Sequence, residues 1–117
     1  MNTIKQIAFR LAQLCRERKF IEAYHELYSN KTESKGPRPR TLASKGLMTF
    51  LERIKQFVSK TDIHQIEISD PLFAGDYFAI GFQMDYNFVH EPRRYMDEIC
   101  VCHVQNGKIT GLPIFMK

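Results

Sequence analysis

The sequence predicts one domain of the α+β class, in which three N-terminal helices cover one face of a curved antiparallel sheet. Apolar residues recur at spacings of three and four in the first half of the chain and at every second residue in the second half. These are the periods of helices and strands. Asn106-Gly107, between two alternating runs, is a strong hairpin signal because both residues tolerate positive φ. The chain has 117 residues, enough for a single core, so we expect one domain over 1–117.

Three helices are expected before the sheet. Thr3 and Gln6 have the spacing of a capping box, and the first apolar stripe covers 4–15. A second stripe covers 20–28, whereas the prolines in 29–43 exclude a helix there and leave a loop or a short strand as alternatives. The third apolar stripe consists of Leu47, Phe50, Leu51, Ile54, Phe57 and Val58. The polar face of that helix is expected to hold Lys45, Glu52, Arg53, Lys55 and Gln56.

Four antiparallel strands are expected in the second half. The first covers 63–73 with a bulge or bend at Asp70-Pro71, and the runs 77–89, 94–104 and 108–115 form a meander. The face that the helices should cover is formed by Phe78, Ile80, Phe82, Met84, Tyr86 and Phe88. The third strand is apolar on both faces, which suggests that its outer face is covered as well. A second subunit is the simplest cover, so we predict a homodimer through the outer sheet face.

Charge and composition restrict the possible partners. The net charge is +4, and residues 31–60 carry eight Lys or Arg against two Glu. A solvated helix face and loop explain this basic segment more simply than an anionic partner does. Nucleic-acid binding is not expected, because the sequence lacks clustered Arg and Lys residues together with exposed aromatic residues. No apolar run has the roughly 18 residues of a membrane span. The three cysteines lack a disulfide framework spacing, which favours free thiols in the cytoplasm.

Several segments together resemble a known family. They are 15–23 with Leu27-Tyr28, then 70–79, Met96-Asp97-Glu98-Ile99, and 104–109. These segments resemble the nuclear transport factor 2-like superfamily, and in particular its SnoaL-like (polyketide cyclase-like) branch. The resemblance implies a cone-like sheet, a deep apolar pocket between the helices and the concave sheet face, and a dimer through the outer face. It also implies that the even-numbered residues of the third strand point into the pocket.

The pocket predicted in this way is largely apolar. Its expected lining residues are Tyr24, Tyr28, Phe50, Phe82, Met84, Met96, Cys100 and Phe115. Glu98 is the candidate catalytic residue, because burial favours the neutral form of a carboxyl group, and such a group can act as an acid or base near neutral pH. The structural alternative is a Glu98 that is bonded to a neighbour such as Arg94. His64 is a weaker candidate, expected on the same face as Ile66 and near the pocket mouth.

Residues at several key positions exclude particular activities. The ketosteroid isomerases of the superfamily need a catalytic Asp where Gly36 stands and a Tyr where Leu11 or Ala12 stands, so that activity is rejected. Cys100 and Cys102 have one intervening residue, not the two of haem or redox motifs, and read as core residues. We expect no metal and no cofactor. The favoured function is binding of a small, largely apolar organic molecule; the alternative is an isomerase, cyclase or hydrolase that uses Glu98.

Overall fold

The computed structural model of the protein describes residues 3–29 and 43–116, with the side chains of 43–50 and 111–113 left out of the description. The helices are α1 (Ile4–Arg16), α2 (Phe20–Leu27) and α3 (Ala43–Lys60). The strands are β1 (Thr61–Ile68), β2 (Leu72–Ala74), β3 (Tyr77–Phe88), β4 (Arg94–Gln105) and β5 (Lys108–Met116). The predicted α+β class is confirmed. The short strand considered for 29–43 falls in 30–42, outside the described residues.

Helix α1 begins and ends as its local chemistry requires. The Thr3 side chain accepts a hydrogen bond from the Gln6 backbone N–H, and the Gln6 side chain accepts one from Thr3, so the predicted capping box is present. After α1 the chain reverses at Arg18, which has φ of 64°. The Lys19 N–H there donates to the Leu14 carbonyl at 2.8 Å. This left-handed turn satisfies the last carbonyls of α1 and directs α2 back alongside it.

The sheet is built around β3. Strands β1 and β2 pair antiparallel with β3, and β4 pairs with β3 and then with β5. The predicted meander of the last three strands is therefore confirmed. At the β4–β5 turn, Asn106 and Gly107 have φ of 54° and 76°, which is the conformation that the Asn-Gly pair predicted.

The first predicted strand is interrupted in two places. At Asp70-Pro71, as expected, pairing stops and resumes only at Leu72. The Gly81 N–H donates to the Ser69 Oγ at 2.6 Å beside this break, where a Cβ on Gly81 would come within 3.1 Å of the same oxygen. The second irregularity, a bulge between Ile63 and Gln65, was not predicted from the sequence.

The helices cover the concave face of the sheet, as predicted. The even-numbered residues Phe78, Ile80, Phe82 and Met84 of β3 are all buried. Hydrogen bonds between residues far apart in the chain hold the helices against the sheet. Arg16 donates to the Ile68 carbonyl at 2.9 Å, and Lys108 donates to the carbonyl of Glu26 at 2.7 Å. Within the described residues, no helix is both long enough and apolar enough to cross a membrane.

Candidate functional site

A cavity of about 350 Å³ lies between the helices and the concave face of the sheet. Its helical wall consists of Leu11, Cys15, Phe20, Ala23, Tyr24, Tyr28, Arg53, Ile54 and Phe57. Its sheet wall consists of Ile80, Phe82, Met84, Met96, Glu98, Cys100 and Phe115. The wall is therefore almost wholly apolar, with Arg53 and Glu98 as the two charged residues among the described ones that line it. Small-molecule sites share this design, in which apolar walls carry a few polar groups.

The structure brings most of the predicted pocket residues into this wall. Those that line the cavity are Tyr24, Tyr28, Phe82, Met84, Met96, Cys100 and Phe115. The side chain of Phe50 lies outside the described part of the chain. These cavity residues lie together because even-numbered residues of β3 and β4 share a face, residues four apart share a helix face, and Phe115 pairs with Cys100 on the neighbouring strand. Their role in holding a ligand stays a prediction.

Two tyrosines of α2 and its end form one part of the wall. The ring centroids of Tyr24 and Tyr28 are 4.3 Å apart, and their hydroxyl groups are hydrogen-bonded to each other. Burial raises the pKa of both phenols well above the usual value because it disfavours the charged phenolate. Tyr28 is also held by a β-bridge to Ile109. These hydroxyls are therefore neutral hydrogen-bonding groups in an apolar wall.

The three cysteines are free thiols gathered in the same part of the core. The Sγ atoms of Cys100 and Cys102 lie 3.8 Å apart, and both side chains point to the concave face, as predicted. Burial raises the pKa of Cys15 to about 12, and the hydrogen bond to Cys102, together with burial, raises that of Cys100. Protonated, buried thiols behave as small apolar residues.

Glu98 lies half-buried in the sheet wall, directly opposite Phe82 on the neighbouring strand. Its suggested structural partner Arg94 is engaged elsewhere, with the Glu91 carboxylate at 3.4 Å and over the Phe88 ring at 5.0 Å. Among the described residues, no hydrogen-bond donor or cation reaches the Glu98 carboxylate. This carboxylate is therefore available to the cavity.

Arg53 is a cavity residue that the sequence did not predict. It is exposed on the third helix, as expected, and its side chain also lines the cavity from α3. Its place in the sequence, three residues after Phe50 and one before Ile54, puts it at the edge of the apolar stripe. A long side chain at such an edge can lay its methylene groups along an apolar surface and keep its guanidinium in water. The position at the edge of the apolar stripe is therefore the feature of the sequence that could have predicted Arg53 in the cavity wall.

His64 does not have the position that its sequence suggested. The bulge between Ile63 and Gln65 adds one residue to β1, so Ile63 and Ile66 both pair with inward-facing residues of β3, namely Tyr86 and Met84. His64 instead is exposed and hydrogen-bonded to Asn87, and it is not part of the cavity wall. The expected placement beside Ile66 at the pocket mouth was wrong because a bulge shifts the strand period by one.

The outer face of the sheet divides into a polar half and an apolar half. The polar half, near the β3–β4 turn, contains the Asp85–Arg93 ion pair at 2.6 Å, which lowers the pKa of Asp85 through a hydrogen bond from Arg93. The apolar half is here called the outer apolar patch and consists of Leu72, Tyr77, Ile99, Val101, Ile114 and Met116. Apart from half-buried Val101, these side chains are between 44% and 75% exposed. Such a contiguous patch is typical of an interaction surface.

Metal ligands are not grouped in the part of the chain that the structure describes. No three His, Cys, Asp or Glu side chains there could hold a metal ion together. The cavity presents an apolar wall with the hydroxyl groups of Tyr24 and Tyr28, one carboxylate and one guanidinium.

Comparison with known proteins agrees with this fold. The family model of the SnoaL-like domain matches residues 2–116. A solved structure of a candidate SnoaL-like polyketide cyclase from Mesorhizobium loti has a TM-score of 0.77 at 23% identity, over 98% of this chain and 99% of that one. A candidate polyketide cyclase from Pseudomonas putida has 0.66 at 10% identity, over 100% and 92%. A designed protein with the NTF2 fold has 0.55 at 19% identity, over 92% and 79%. No curated protein matches the chain significantly.

Proposed function

Because this chain belongs to the SnoaL-like domain family and has an almost wholly apolar cavity, we propose that it binds a small, largely apolar organic molecule there. The observation that carries the proposal is the cavity itself. Its volume of about 350 Å³ falls within the roughly 300–1,000 Å³ of small-molecule sites. The names of two structural neighbours refer to polyketide cyclases, which supports a small organic ligand for this fold.

A pair of tryptophan substitutions tests the proposal. Met96 lines the cavity, whereas its neighbour Tyr95 is on the outer face and 66% exposed. Met96→Trp should narrow the cavity and weaken binding of the neutral probe 2-naphthamide, measured by calorimetry, and Tyr95→Trp should leave binding unchanged. Saturable one-to-one binding that Met96→Trp weakens and Tyr95→Trp preserves supports the proposal. Equal binding by both variants, or no saturable binding by the unmodified protein, contradicts it.

A second candidate function is catalysis by Glu98 as a general acid or base. The available carboxylate in the sheet wall favours it, since a base must reach the proton that it removes. Isomerisations by enolisation and aldol-type cyclisations of carbonyl compounds both begin by removing a proton next to the carbonyl group. If Glu98 is such a base, the protein should accelerate exchange of the methyl protons of 2-acetylnaphthalene in D₂O, followed by NMR. Glu98→Gln should abolish the acceleration and keep binding; exchange that is equally fast in this variant contradicts the role.

A homodimer through the outer sheet face and a cytoplasmic location belong to the same proposal. The outer apolar patch supports the dimer because a second copy would remove these side chains from water. The three free thiols support the location, since thiols persist in reducing compartments.

A further inference from the structure

The two charged residues of the cavity wall come from opposite layers of the fold. Arg53 is on α3, and Glu98 is on β4. Among the described residues neither one has an oppositely charged atom within 4.0 Å, so they do not neutralise each other. Glu52, the acidic neighbour of Arg53 in sequence, is 3.7 Å from Lys55 instead. Within the described part of the chain, a ligand in the cavity would therefore meet one guanidinium and one carboxylate group that lack an ion-pair partner.

An anionic ligand group on the helical side of the cavity, near Arg53, is more favourable than a cationic group on the sheet side, near Glu98. Helix α3 carries four basic residues against the single acidic Glu52, so its field favours an anion. Arg53 is an exposed residue, so pairing with a ligand costs it little desolvation. A guanidinium also matches a carboxylate with two parallel hydrogen bonds. Glu98 is half-buried, and a cationic ligand group would have to lose more of its hydration to reach it.

We propose that the ligand is an apolar carboxylic acid, whose body fills the cavity and whose carboxylate pairs with Arg53. The inference rests on the proposed function and adds the chemical class of the ligand. Glu98 determines the orientation of the ligand, because its negative charge repels a carboxylate from the sheet wall. The acid group is thereby oriented toward α3, and a second carboxylate on the ligand is disfavoured.

Three probes with one body and different charges test this inference. They are 2-naphthoate, its neutral isostere 2-naphthamide, and 2-naphthylmethylammonium. The protein has no tryptophan, so naphthalene fluorescence reports binding directly. A charge-assisted pair at a partly exposed site should make 2-naphthoate bind roughly tenfold more tightly than the amide. Arg53→Gln should remove this preference and leave the amide unaffected. Lys55→Gln, on the same helix but outside the cavity wall, should keep it.

Glu98→Gln provides the opposite test, since removing the repulsion should tighten binding of 2-naphthoate and not that of 2-naphthamide. If all three probes bind equally and Arg53→Gln changes nothing, the carboxylate inference is wrong while cavity binding stands. If the ammonium probe binds most tightly, Glu98 is the ionic partner and the inference is overturned. If no probe binds, the proposed function itself fails.

Discussion

Cys15 shows how the interior of this protein controls the chemistry of a single side chain. Only 6% of the residue is exposed, and burial raises its thiol pKa to about 12. The unfolded chain ionises this thiol near its ordinary pKa of 9.0, whereas the folded chain resists ionisation. The raised folded pKa therefore contributes stability that is complete below pH 9 and is lost as pH rises from 9 toward 12.

We expect Cys15→Ser to make the alkaline loss of stability shallower. One thiol contributes at most about 1.4 kcal/mol per pH unit to the slope in this window. The free energy of unfolding from denaturant titrations between pH 7 and pH 12 measures it. Ala8→Ser, which adds a hydroxyl at another buried position of α1 without removing a thiol, should keep the original slope. An unchanged slope in Cys15→Ser would show that this thiol ionises normally in the folded state.

Individual residues also show what the sequence could and could not predict. The shared face of Met96, Glu98 and Cys100 followed from strand alternation, because β4 has no bulge between them, and the resemblance to the SnoaL-like branch implied that this face points inward. His64 was misplaced because no residue type marks the bulge in β1, which arises from pairing with β3. Arg53 is exposed, as expected, but its contact with the cavity was not predicted, because packing against the sheet decides whether a side chain at the edge of an apolar stripe also reaches the interior.

The β4–β5 hairpin is the element whose geometry depends most on one residue type. Gly107 has φ of 76°, a conformation that costs a residue with a Cβ about 1–2 kcal/mol. Gly107→Ala should therefore lower the free energy of unfolding by about that amount. Asn106→Gly, at the preceding positive-φ position, provides the control and should be nearly neutral or slightly destabilising. Chemical denaturation of both variants measures the difference. Equal free energies of unfolding would mean that the turn backbone adjusts to accept the alanine.

At the level of elements, prediction succeeded where local sequence determines the structure. The capping box started α1, the Asn-Gly pair formed the last turn, and Asp70-Pro71 ended β1. These features depend on residues that are neighbours in sequence, so a sequence pattern can reveal them. The separation of β2 from β1 was predicted only as a bend, because its independent pairing with β3 depends on partners that sequence does not specify.

For the whole molecule, the outer apolar patch predicts the assembly state. If two copies meet through this patch, Ile114→Glu should place charges at the interface and convert the dimer to monomers. Val89→Glu, at the β3–β4 turn and 51% exposed, is a matched control that should stay dimeric. Sedimentation velocity over a concentration series distinguishes the two. A monomeric unmodified protein would contradict the dimer directly.

The cavity is lined by α3 and by two further stretches that lie far apart in the chain, namely α1 with α2 and the strands β3 to β5. Strands β3 to β5 form a local meander, whereas the contacts that hold α1 and α2 span 52 residues from Arg16 to Ile68 and 82 from Glu26 to Lys108. Local contacts form quickly, and layers joined by distant contacts can open as separate units. We therefore expect amide hydrogens of α2 to exchange faster than those of β3. A ligand that contacts both layers should slow amide exchange in α2 specifically. A ligand would then enter the cavity when α1 and α2 transiently separate from the sheet, which itself stays folded.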